Sequence, residues 1–475
     1  MHLRPGWVAR RGHRAAQGGH PEHPLLPDGL AKARSRPGQR ARASGVHPTV
    51  RPVRRRLTLS ETGFGSSSFV ALTHRNFRLL WTGQLVSMAG SMMQNAVILW
   101  HVSRLVPAEQ RGLALGMVGL VKVVPIVGFS IVSGVVADAL DRRRLMLITQ
   151  TGMAAAAAAL AMLAFSGSRS LWLIYVLAAL SSAFGSFDGP ARQSLIPNLV
   201  PRQHLANAIS LNSMMFQIAS VLGPALGGLV IAGPGIGWAY ALNAASFLCV
   251  IGAILLMRDL PPRGPGATSE ISLRAAIEGF RFVFRTPLIR STMLLDFFAT
   301  FFASASALLP IFAQDILKVG ARGYGLLSAA PSVGAAITSL AMVPLAERLE
   351  RRGAVVLWSV LGYGLATIAF GLSHVFWLTF ACLALTGVTD TVSMVIRNVI
   401  RQMNTPDSMR GRMTSVNMIF FMGGPQLGEL EAGLVAHGWG AIASVVSGGL
   451  GCVLALAWVA WQTPSLRVYR VARGS

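Results

Sequence analysis

Six ionisable residues interrupt long apolar stretches of the sequence, and ionisable groups in such surroundings are candidates for chemistry. They are Lys122, Asp188, Asp296, Asp390, Glu429 and Glu431. A charge near the centre of a bilayer costs roughly 2.5–3.5 kcal/mol on insertion scales, so each residue needs a partner, a wet cavity or a neutral state. An acid that takes up a proton at one membrane face and releases it at the other can use about 2.3 kcal/mol per charge and 100 mV. These residues therefore predict proton coupling.

Asp296 is the first candidate for the proton-binding site. Glu429 together with Glu431 comes next, and Lys122 is a possible partner of either site. The alternative for every acid is a fixed ion pair or a contact at the cytoplasmic end of its helix. That alternative is favoured for Asp188, which stands one helical turn before an arginine.

Covalent catalysis is not predicted, because no nucleophile, base and orienting group recur within one cavity-sized stretch, and the sequence has no Walker phosphate loop. Cys249, Cys382 and Cys452 are isolated in separate apolar stretches, without the Cys or His spacing of a disulfide or metal site. The sequence therefore predicts neither an enzyme nor a cofactor or metal site.

The elements that hold these residues are predicted to lie in a membrane. Hydrophobic residues make up 53% of the chain and charged residues 13%, and the mean hydropathy is +0.54. A soluble fold could not cover such a core with polar surface. The net charge of +24 does not indicate nucleic-acid binding, since the basic residues stand in a tail and in short loops instead of on one face. The predicted surroundings are therefore the lipid bilayer.

Twelve apolar stretches follow one another from Phe77, each long enough to cross about 30 Å of hydrocarbon, which takes roughly 20 helical residues. Short segments rich in Gly, Pro, Ser and Arg, which are typical of loops, separate them. The sequence therefore predicts an all-α membrane protein with twelve transmembrane helices. Their predicted spans are 77–103, 112–139, 145–167, 170–197, 204–232, 236–257, 288–317, 321–348, 354–372, 374–400, 408–436 and 440–461.

Basic residues are shared unequally between the two sides of this arrangement. With the amino terminus inside, the turns after even-numbered helices, the central linker and the carboxy-terminal tail hold 21 arginines, whereas the other side holds 5 basic residues. Cytoplasmic loops of membrane proteins carry the excess of Lys and Arg. Both termini are therefore predicted to be cytoplasmic, in a bacterial plasma or inner membrane.

Five regions are predicted along the chain. They are a basic tail at 1–68, a six-helix bundle at 69–257, a linker at 258–287, a second six-helix bundle at 288–462 and a cytoplasmic tail at 463–475. The composition of the first tail predicts disorder. The alternatives are a polybasic tail on the membrane surface and upstream sequence translated from a start codon placed too early. In the linker, Ile277, Phe280 and Phe284 recur at helical spacing with arginines between them, which predicts a helix lying in the membrane interface.

The two bundles are predicted to be pseudo-repeats of one unit. The corner between helices two and three, at 133–144, returns at 343–352 with an offset of 209 residues, which aligns Asp138 with Glu347. At an offset of 205 residues the matched pairs include Arg192 and Arg397, Asn212 and Asn417, and Gly228 and Gly433. Parallel six-helix repeats imply a cavity between the halves that opens to either membrane face in turn.

The first corner resembles a signature of the major facilitator superfamily. Gly134 and Asp138, followed by Arg142 and Arg143, match the essentials of its GxxxDxxxRR pattern. In that family the motif is a latch on the cytoplasmic side, and the resemblance implies this role here. Glycine permits close helix approach, and the acid can pair with an arginine or face a helix amino terminus. The second-copy counterparts are Glu347, Arg351 and Arg352.

Helix five contains Gly223-Pro224 followed by Gly227-Gly228, similar to the GPxxGG motif of antiporters in this family. Pro224 removes a helix hydrogen bond and the glycines allow close packing, which implies a hinge, with ordinary small-residue packing as the alternative. The stretch 187–212 is similar to the branch that contains enterobactin exporters and macrolide efflux proteins. Helix four lacks the mid-membrane arginine of another antiporter motif, so the resemblance does not imply coupling through such an arginine.

Substrate contacts are expected on the cavity-facing sides of helices one, four, seven and ten. The candidates combine polar and aromatic groups, which suits an amphipathic or aromatic solute, and ordinary packing or lipid contact is the alternative for each. They are Gln94, Asn95, Phe298, Phe301, Phe302 and Met394.

Together these features predict a secondary active exporter that works as a monomer and exchanges protons for a small hydrophobic or amphipathic compound, such as an antibiotic or a siderophore. Within transport, the alternatives are an uptake symporter and a lysophospholipid flippase. The alternative of another class is a transporter-like sensor that moves no solute. The direction of proton flux and the accumulation of solute separate these functions.

Overall fold

The computed structural model describes residues 69–258, 273–346 and 348–470. The predicted tail at 1–68, the linker residues 259–272 and Glu347 lie outside the described residues, and so does the side chain of Asp138. Within the described ranges the α-helices are α1 (Arg75–Leu105), α2 (Arg111–Ala139), α3 (Arg142–Phe165), α4 (Leu171–Leu195), α5 (Leu205–Ala232), α6 (Ile236–Leu256), α7 (Leu273–Arg285), α8 (Pro287–Phe302), α9 (Leu309–Ile311), α10 (Gly320–Leu345), α11 (Arg352–Leu372), α12 (Phe376–Met403), α13 (Asp407–Trp439), α14 (Ala441–Gln462) and α15 (Pro464–Arg467).

Ten helical segments of the described chain are long and apolar enough to cross a membrane. Two further helices, α1 and α13, have 31 and 33 residues and contain polar residues that lower their mean hydropathy. Described residues form no strand. The all-α membrane fold predicted from the sequence is therefore confirmed, and the twelve predicted spans are consistent with these segments.

Each half of the chain packs its own six long segments together. In the first half, α1 packs on α5 and α6, α3 packs on α4 and α6, and α2 packs on α4. In the second half, α12 packs on α10 and α11, and α14 packs on α8 and α11. The halves meet where α2 packs on α13 and α5 packs on α10. We name the end at which α1 begins and α14 ends the terminal face, and the other end the opposite face.

The same backbone device joins the fifth and sixth long segments of each half. Gly235 precedes α6 with φ 107°, and Gly440 precedes α14 with φ 87°. Both values lie in the left-handed region, which favours glycine because it has no Cβ. The two glycines are 205 residues apart, the offset of the sequence repeat. The duplicated architecture therefore extends to the turns.

The seventh predicted span, 288–317, is interrupted instead of being one continuous helix. After α8 ends at Phe302, a 3₁₀ turn covers Ala305–Leu308, α9 follows, and a π-helical turn covers Phe312–Ile316. Pro310 cannot donate a backbone hydrogen bond, so it stands at the start of a new helical segment. The Ser304 hydroxyl donates to the Pro425 carbonyl oxygen at 3.0 Å, which ties the interruption to α13.

The linker contributes α7, which lies beside the beginning of α13. Arg412 donates to Glu278 at 2.6 Å, and a Cβ on Gly279 would lie 3.0 Å from the Arg412 backbone oxygen. Val283 is buried between α8 and α13, whereas Ile277 and Phe280 are exposed. An exposed apolar edge on a helix attached to the bundle fits the membrane interface.

Exposed tryptophans cluster near the ends of the long helices. Trp172, Trp377 and Trp439 stand towards the opposite face, and Trp358 and Trp461 towards the terminal face. Tryptophan is enriched at both membrane–water interfaces because its ring is apolar and its N–H is polar. Two bands of exposed tryptophan are therefore what a bilayer-spanning bundle requires.

Candidate functional site

At the opposite face the two halves touch through their backbones. A Cβ on Gly433 would lie 2.5 Å from the Gly116 Cα, and a Cβ on Gly228 would lie 2.7 Å from the Gly325 Cα. Gly116 and Gly325 are 209 residues apart and Gly228 and Gly433 are 205 apart, so the two crossings occupy equivalent positions in the repeats. Small residues at such crossings let helices approach to backbone distance. The opposite face is therefore closed by two related glycine pairs.

The predicted hinge motif is divided between two neighbours of α5. Gly223 and Gly227 face α1, where a Cβ on Gly223 would lie 2.5 Å from the Met92 Cβ, whereas Gly228 faces α10. Pro224 lies inside α5 and is buried. The motif thus packs one helix against its own half and against the other half at once.

Polar contacts between the halves reinforce the closure at the opposite face. Arg111 Nη1 donates to both Asp315 oxygens, at 2.9 and 2.7 Å. The other contacts join Gln314 Nε2 to Ser103 Oγ at 2.8 Å, the Tyr324 hydroxyl to the Ala96 carbonyl at 2.7 Å, and His437 Nδ1 to the Glu109 carbonyl at 2.8 Å. Each contact would have to break for this face to open.

Towards the terminal face the halves separate. Gln217 of α5 donates to Ser339 of α10 at 3.0 Å. One turn closer to the terminal face, Val343 is 74% exposed and Met214 is 46% exposed. Because Val343 and Met214 continue the same helix faces as Ser339 and Gln217, their exposure shows that α5 and α10 part there. The space between the halves therefore opens to the terminal face.

An ionic cluster joins α8 and α12 within the second half. Arg397 Nη2 lies 2.8 Å from Asp296 Oδ1 and 3.5 Å from Asp390 Oδ1, and Arg401 Nη1 lies 3.7 Å from Asp296 Oδ2. The Arg397 side chain is 1% exposed and that of Asp390 is 42% exposed. Arg401 also donates to Asn398 at 2.8 Å and to Asn417. The fixed ion pair that was the alternative for Asp296 is thus present, with Arg397 as its partner. Asp390, which is more exposed, lies beside it.

The first half contains the equivalent arginine with a neutral partner. Arg192 of α4 donates to Gln84 Oε1 of α1 at 3.1 Å. Asp188 accepts from Gln150 at 2.8 Å and from Thr149 at 3.2 Å. In each half the arginine of the fourth segment reaches the first segment, and only the second half places an acid there. The ionic chemistry is therefore asymmetric between the repeats.

A second polar cluster lies where α1 and α2 meet α13. Lys122 Nζ donates to Asn95 Oδ1 at 3.3 Å. One helical turn before Lys122, a Cβ on Gly119 would lie 3.2 Å from Glu429 Oε2, so Glu429 packs beside this part of α2. Glu429 Oε2, Gln426 Oε1 and Glu431 Oε2 are buried and have no hydrogen-bond partner in the described chain. Glu431, two residues further along α13, is turned by about 200° from Glu429, so the two glutamates do not share a face. Lys122 was considered as a partner of Asp296 or of the two glutamates, and the structure places it near Glu429.

The remaining cavity candidates divide between the cluster and the packing of the second half. Asn95 is exposed beside Lys122, whereas Gln94 is buried and accepts from Asn243 of α6 at 2.8 Å. Phe298 of α8 packs against α14, with its ring 6.1 Å from that of Trp458, and it also stacks on Phe302 of its own helix at 6.1 Å. Phe301 stacks on Phe297 at 5.6 Å, and Met394 is half-buried.

The two predicted latch corners begin equivalent helices. Arg142 begins α3, and Asp141 caps that helix by accepting from the Arg144 backbone N–H at 2.9 Å. Arg143 donates to the Leu255 carbonyl at 3.2 Å. In the second copy Arg351 is the amino-terminal cap of α11, and Arg352 donates to the carbonyls of Leu349 and Ala346. The arginines thus anchor helix ends at the terminal face.

Sequence reasoning missed the part that Arg397 and Arg401 play, because it treated both as positive charges of cytoplasmic turns. The structure places them in α12, buried against α8. One signal was available: Arg397 follows Asp390 by two helical turns, which puts both side chains on one face. The partner Asp296 is distant in sequence, and only the packing of α8 on α12 identifies it.

Comparison with known proteins decides the family. The sequence profile described as transmembrane secretion effector matches residues 66–470. The chain belongs to this branch of the major facilitator superfamily. The resemblance found from the corner and helix-five motifs is therefore confirmed.

Relatives and solved structures agree with this assignment. The chain is 29% identical over 383 residues to the enterobactin exporter EntS of Escherichia coli O1:K1 / APEC. The alignment covers 80% of this chain and 90% of that protein. The EntS protein of Shigella boydii serotype 18 has the same identity and coverage. A bacterial homologue of the human lysosomal transporter Spinster, inward-facing and unoccupied, superimposes with a TM-score of 0.66 at 15% identity, covering 84% of this chain and 99% of that one. A bacterial homologue of the iron transporter ferroportin, inward-facing, gives 0.59 at 17% identity, covering 81% and 98%. Family and fold identify a multi-pass membrane transporter of the secondary type with a small-molecule substrate.

Proposed function

We propose that this transporter exports a small amphipathic compound, such as an antibiotic or a siderophore, by alternating access and proton antiport. The observation that carries the proposal is a pair of six-helix halves sealed by glycine crossings at one face and parted at the other. Solute enters from the open face, and rocking of the halves exposes it at the sealed one. The exporter name of the 29% identical relatives supports the direction of transport.

The terminal face is assigned to the cytoplasm. The arginines that begin α3 and α11 and the arginine-containing α7 lie at this face. Lys and Arg are retained on the cytoplasmic side of bacterial membranes. With this orientation the space between the halves opens inward, as in the inward-facing bacterial homologues of Spinster and ferroportin. An exporter in that state loads solute from the cytoplasm or the inner leaflet.

The ionic cluster of the second half is the proposed coupling site. Asp296 and Asp390 share Arg397, so a proton on either acid changes which carboxylate the guanidinium holds. Because Asp296 is on α8 and Asp390 is on α12, that exchange makes or breaks the ion pair between α8 and α12. Asp390 is the acid with access to water, and it is therefore the entry point for the proton. Glu429 is the second proposed proton acceptor, and it faces Gly119 of α2 in the other half.

Asp390→Asn is expected to abolish efflux driven by a pH gradient, because the amide cannot exchange a proton and leaves Arg397 permanently with Asp296. Proton-driven solute movement in inside-out vesicles measures this, with an uncoupler as the reference for zero drive. Asp407→Asn is the matched control, because Asp407 is an exposed acid of the terminal face that pairs only with Arg410 in the described residues. Efflux by Asp390→Asn at the wild-type rate would contradict the coupling site.

The same vesicles separate the alternatives. Proton-linked uptake into the cytoplasmic side identifies a symporter, and movement of a lysophospholipid but of no soluble solute identifies a flippase. A panel of dyes, antibiotics and a catechol siderophore that shows no transport in either direction identifies a sensor. Export of a panel member that stops with the uncoupler is the result expected here.

A further inference from the structure

The polar cluster between the halves contains a set of unmet hydrogen-bonding groups. Lys122 and Asn95 belong to the first half, and Gln426 and Glu429 belong to the second. The buried oxygens Glu429 Oε2 and Gln426 Oε1 lack hydrogen-bond partners among the described residues, as does Glu431 Oε2 on another side of α13. Buried polar atoms are nearly always satisfied, so unpaired acceptors at the contact between the halves are candidates for contact with bound solute. Gln426 and Glu429 are one helical turn apart and project from the same side of α13.

This cluster lies at the middle of the bundle. Asn95 is ten residues before the end of α1, Lys122 is eleven residues after the start of α2, and Glu429 is ten residues before the end of α13. Each position is about 15 Å from the opposite face at 1.5 Å per residue. That depth is half of the roughly 30 Å hydrocarbon thickness. Transporters of repeated architecture bind their substrates near the midplane, at the interface of the repeats.

The signs of the two charges restrict what can bind there. An organic cation would be attracted by Glu429 and repelled by Lys122. An organic anion would be attracted by Lys122 and repelled by Glu429. A hydroxyl group both donates and accepts. It can therefore accept from the Lys122 ammonium while donating to Glu429 Oε2 or Gln426 Oε1, without bringing a charge into the membrane.

We propose that Lys122, Asn95, Gln426 and Glu429 form the head-group site of the substrate, and that the substrate is an uncharged amphipathic compound bearing hydroxyl groups. This inference rests on the proposed export function and names its substrate class. Because the site takes residues from both halves, bound solute links α2 to α13, and the link must re-form each time the halves rock.

The test uses the full chain in detergent and three dansyl compounds of matched bulk, with a diol, a quaternary ammonium or a sulfonate head group. Binding is measured by fluorescence anisotropy. Wild type is expected to bind the diol about tenfold more tightly than either charged compound, a difference of about 1.4 kcal/mol. Lys122→Met is expected to shift the preference to the ammonium, and Glu429→Gln is expected to shift it to the sulfonate.

Glu431→Gln is the matched control, because it neutralises a glutamate of the same helix on a different face, and its preference should stay that of wild type. The double variant Lys122→Met with Glu429→Gln leaves no unpaired charge, so it should fold even if a single variant does not. Its binding should no longer discriminate against either charged compound. Unchanged preference in the single variants or in the double variant overturns the site. So does a shift in Glu431→Gln equal to that in Glu429→Gln.

Vesicle transport of the same compounds separates this inference from the proposed function. Charge-dependent binding without gradient-driven movement of any compound supports the head-group site and contradicts export. Gradient-driven efflux with unaltered charge preference in every variant supports export and contradicts the head-group site.

Discussion

Arg397→Ala is expected to lower the free energy of unfolding by about 3–5 kcal/mol, because it leaves the buried Asp296 carboxylate without its nearest cation. The Arg397 guanidinium lies 2.8 Å from Asp296, whereas the other arginine in reach, Arg401, lies 3.7 Å away. The substitution also releases Asp390, which shares the same guanidinium. Thermal unfolding of the detergent-solubilised chain, followed by the loss of monodisperse protein, measures the change.

The first half supplies the control for this substitution. Arg192→Ala removes the equivalent arginine, but its partner there is the neutral Gln84 amide, so only a hydrogen bond is lost, worth about 1–3 kcal/mol. Arg397→Met combined with Asp296→Asn should recover much of the lost stability, since it removes both members of the buried pair. Equal losses for Arg397→Ala and Arg192→Ala, with no recovery in the double variant, would show that the ionic cluster does not organise the second half.

Gly433→Leu is expected to reduce transport by about tenfold or more, a shift of about 1.4 kcal/mol against the closed opposite face. A Cβ at this position would lie 2.5 Å from the Gly116 Cα and 2.6 Å from the Gly112 oxygen. Backbone atoms cannot swing aside as a flexible side chain can, so the halves must separate at this face. Ser103, buried beside Gln314, should then react with a maleimide when replaced by cysteine in a background without the native thiols.

Two further glycines make this expectation specific. Gly325→Leu, at the related crossing on α10, should have the same effect, because a Cβ there would lie 2.7 Å from the Gly228 Cα. Gly438→Leu is the control within α13, since a Cβ at Gly438 would meet nothing within 4 Å. Full transport by Gly433→Leu, or equal inhibition by Gly438→Leu, would indicate that closure does not depend on the glycine crossings.

The sequence was sufficient for the helices and their duplication because both depend on local patterns. Apolar length marks a crossing segment, and the offsets of 209 and 205 residues that align the repeats also relate the glycine crossings and the turns at Gly235 and Gly440.

The interruption after α8 was missed, since the residues around Ala303 and Ser304 are as small and apolar as those of a continuous helix. Only Pro310 marks that site, and one proline alone is also compatible with a kink.

The partners of the membrane acids could not be read from the sequence. Asp296 and Arg397 are 101 residues apart, and their contact depends on how α8 rests on α12. Glu429 and Glu431 were grouped because they are close in sequence, yet helical geometry turns them to different faces. Lys122 had two equally plausible partners until the packing of α2 on α13 brought it to Glu429. Charge identifies such residues, and tertiary packing assigns their roles.

The most direct test of alternating access is a reversible clamp on the opposite face. Arg111→Cys and Asp315→Cys replace the pair that joins α2 to the segment after α9, in a chain without its native cysteines. A methanethiosulfonate cross-linker that a reductant cleaves should stop proton-driven efflux in vesicles while solute still binds from the terminal face, and reduction should restore efflux. Efflux at an unchanged rate in the fully cross-linked protein would contradict the central claim that the two halves must part at this face.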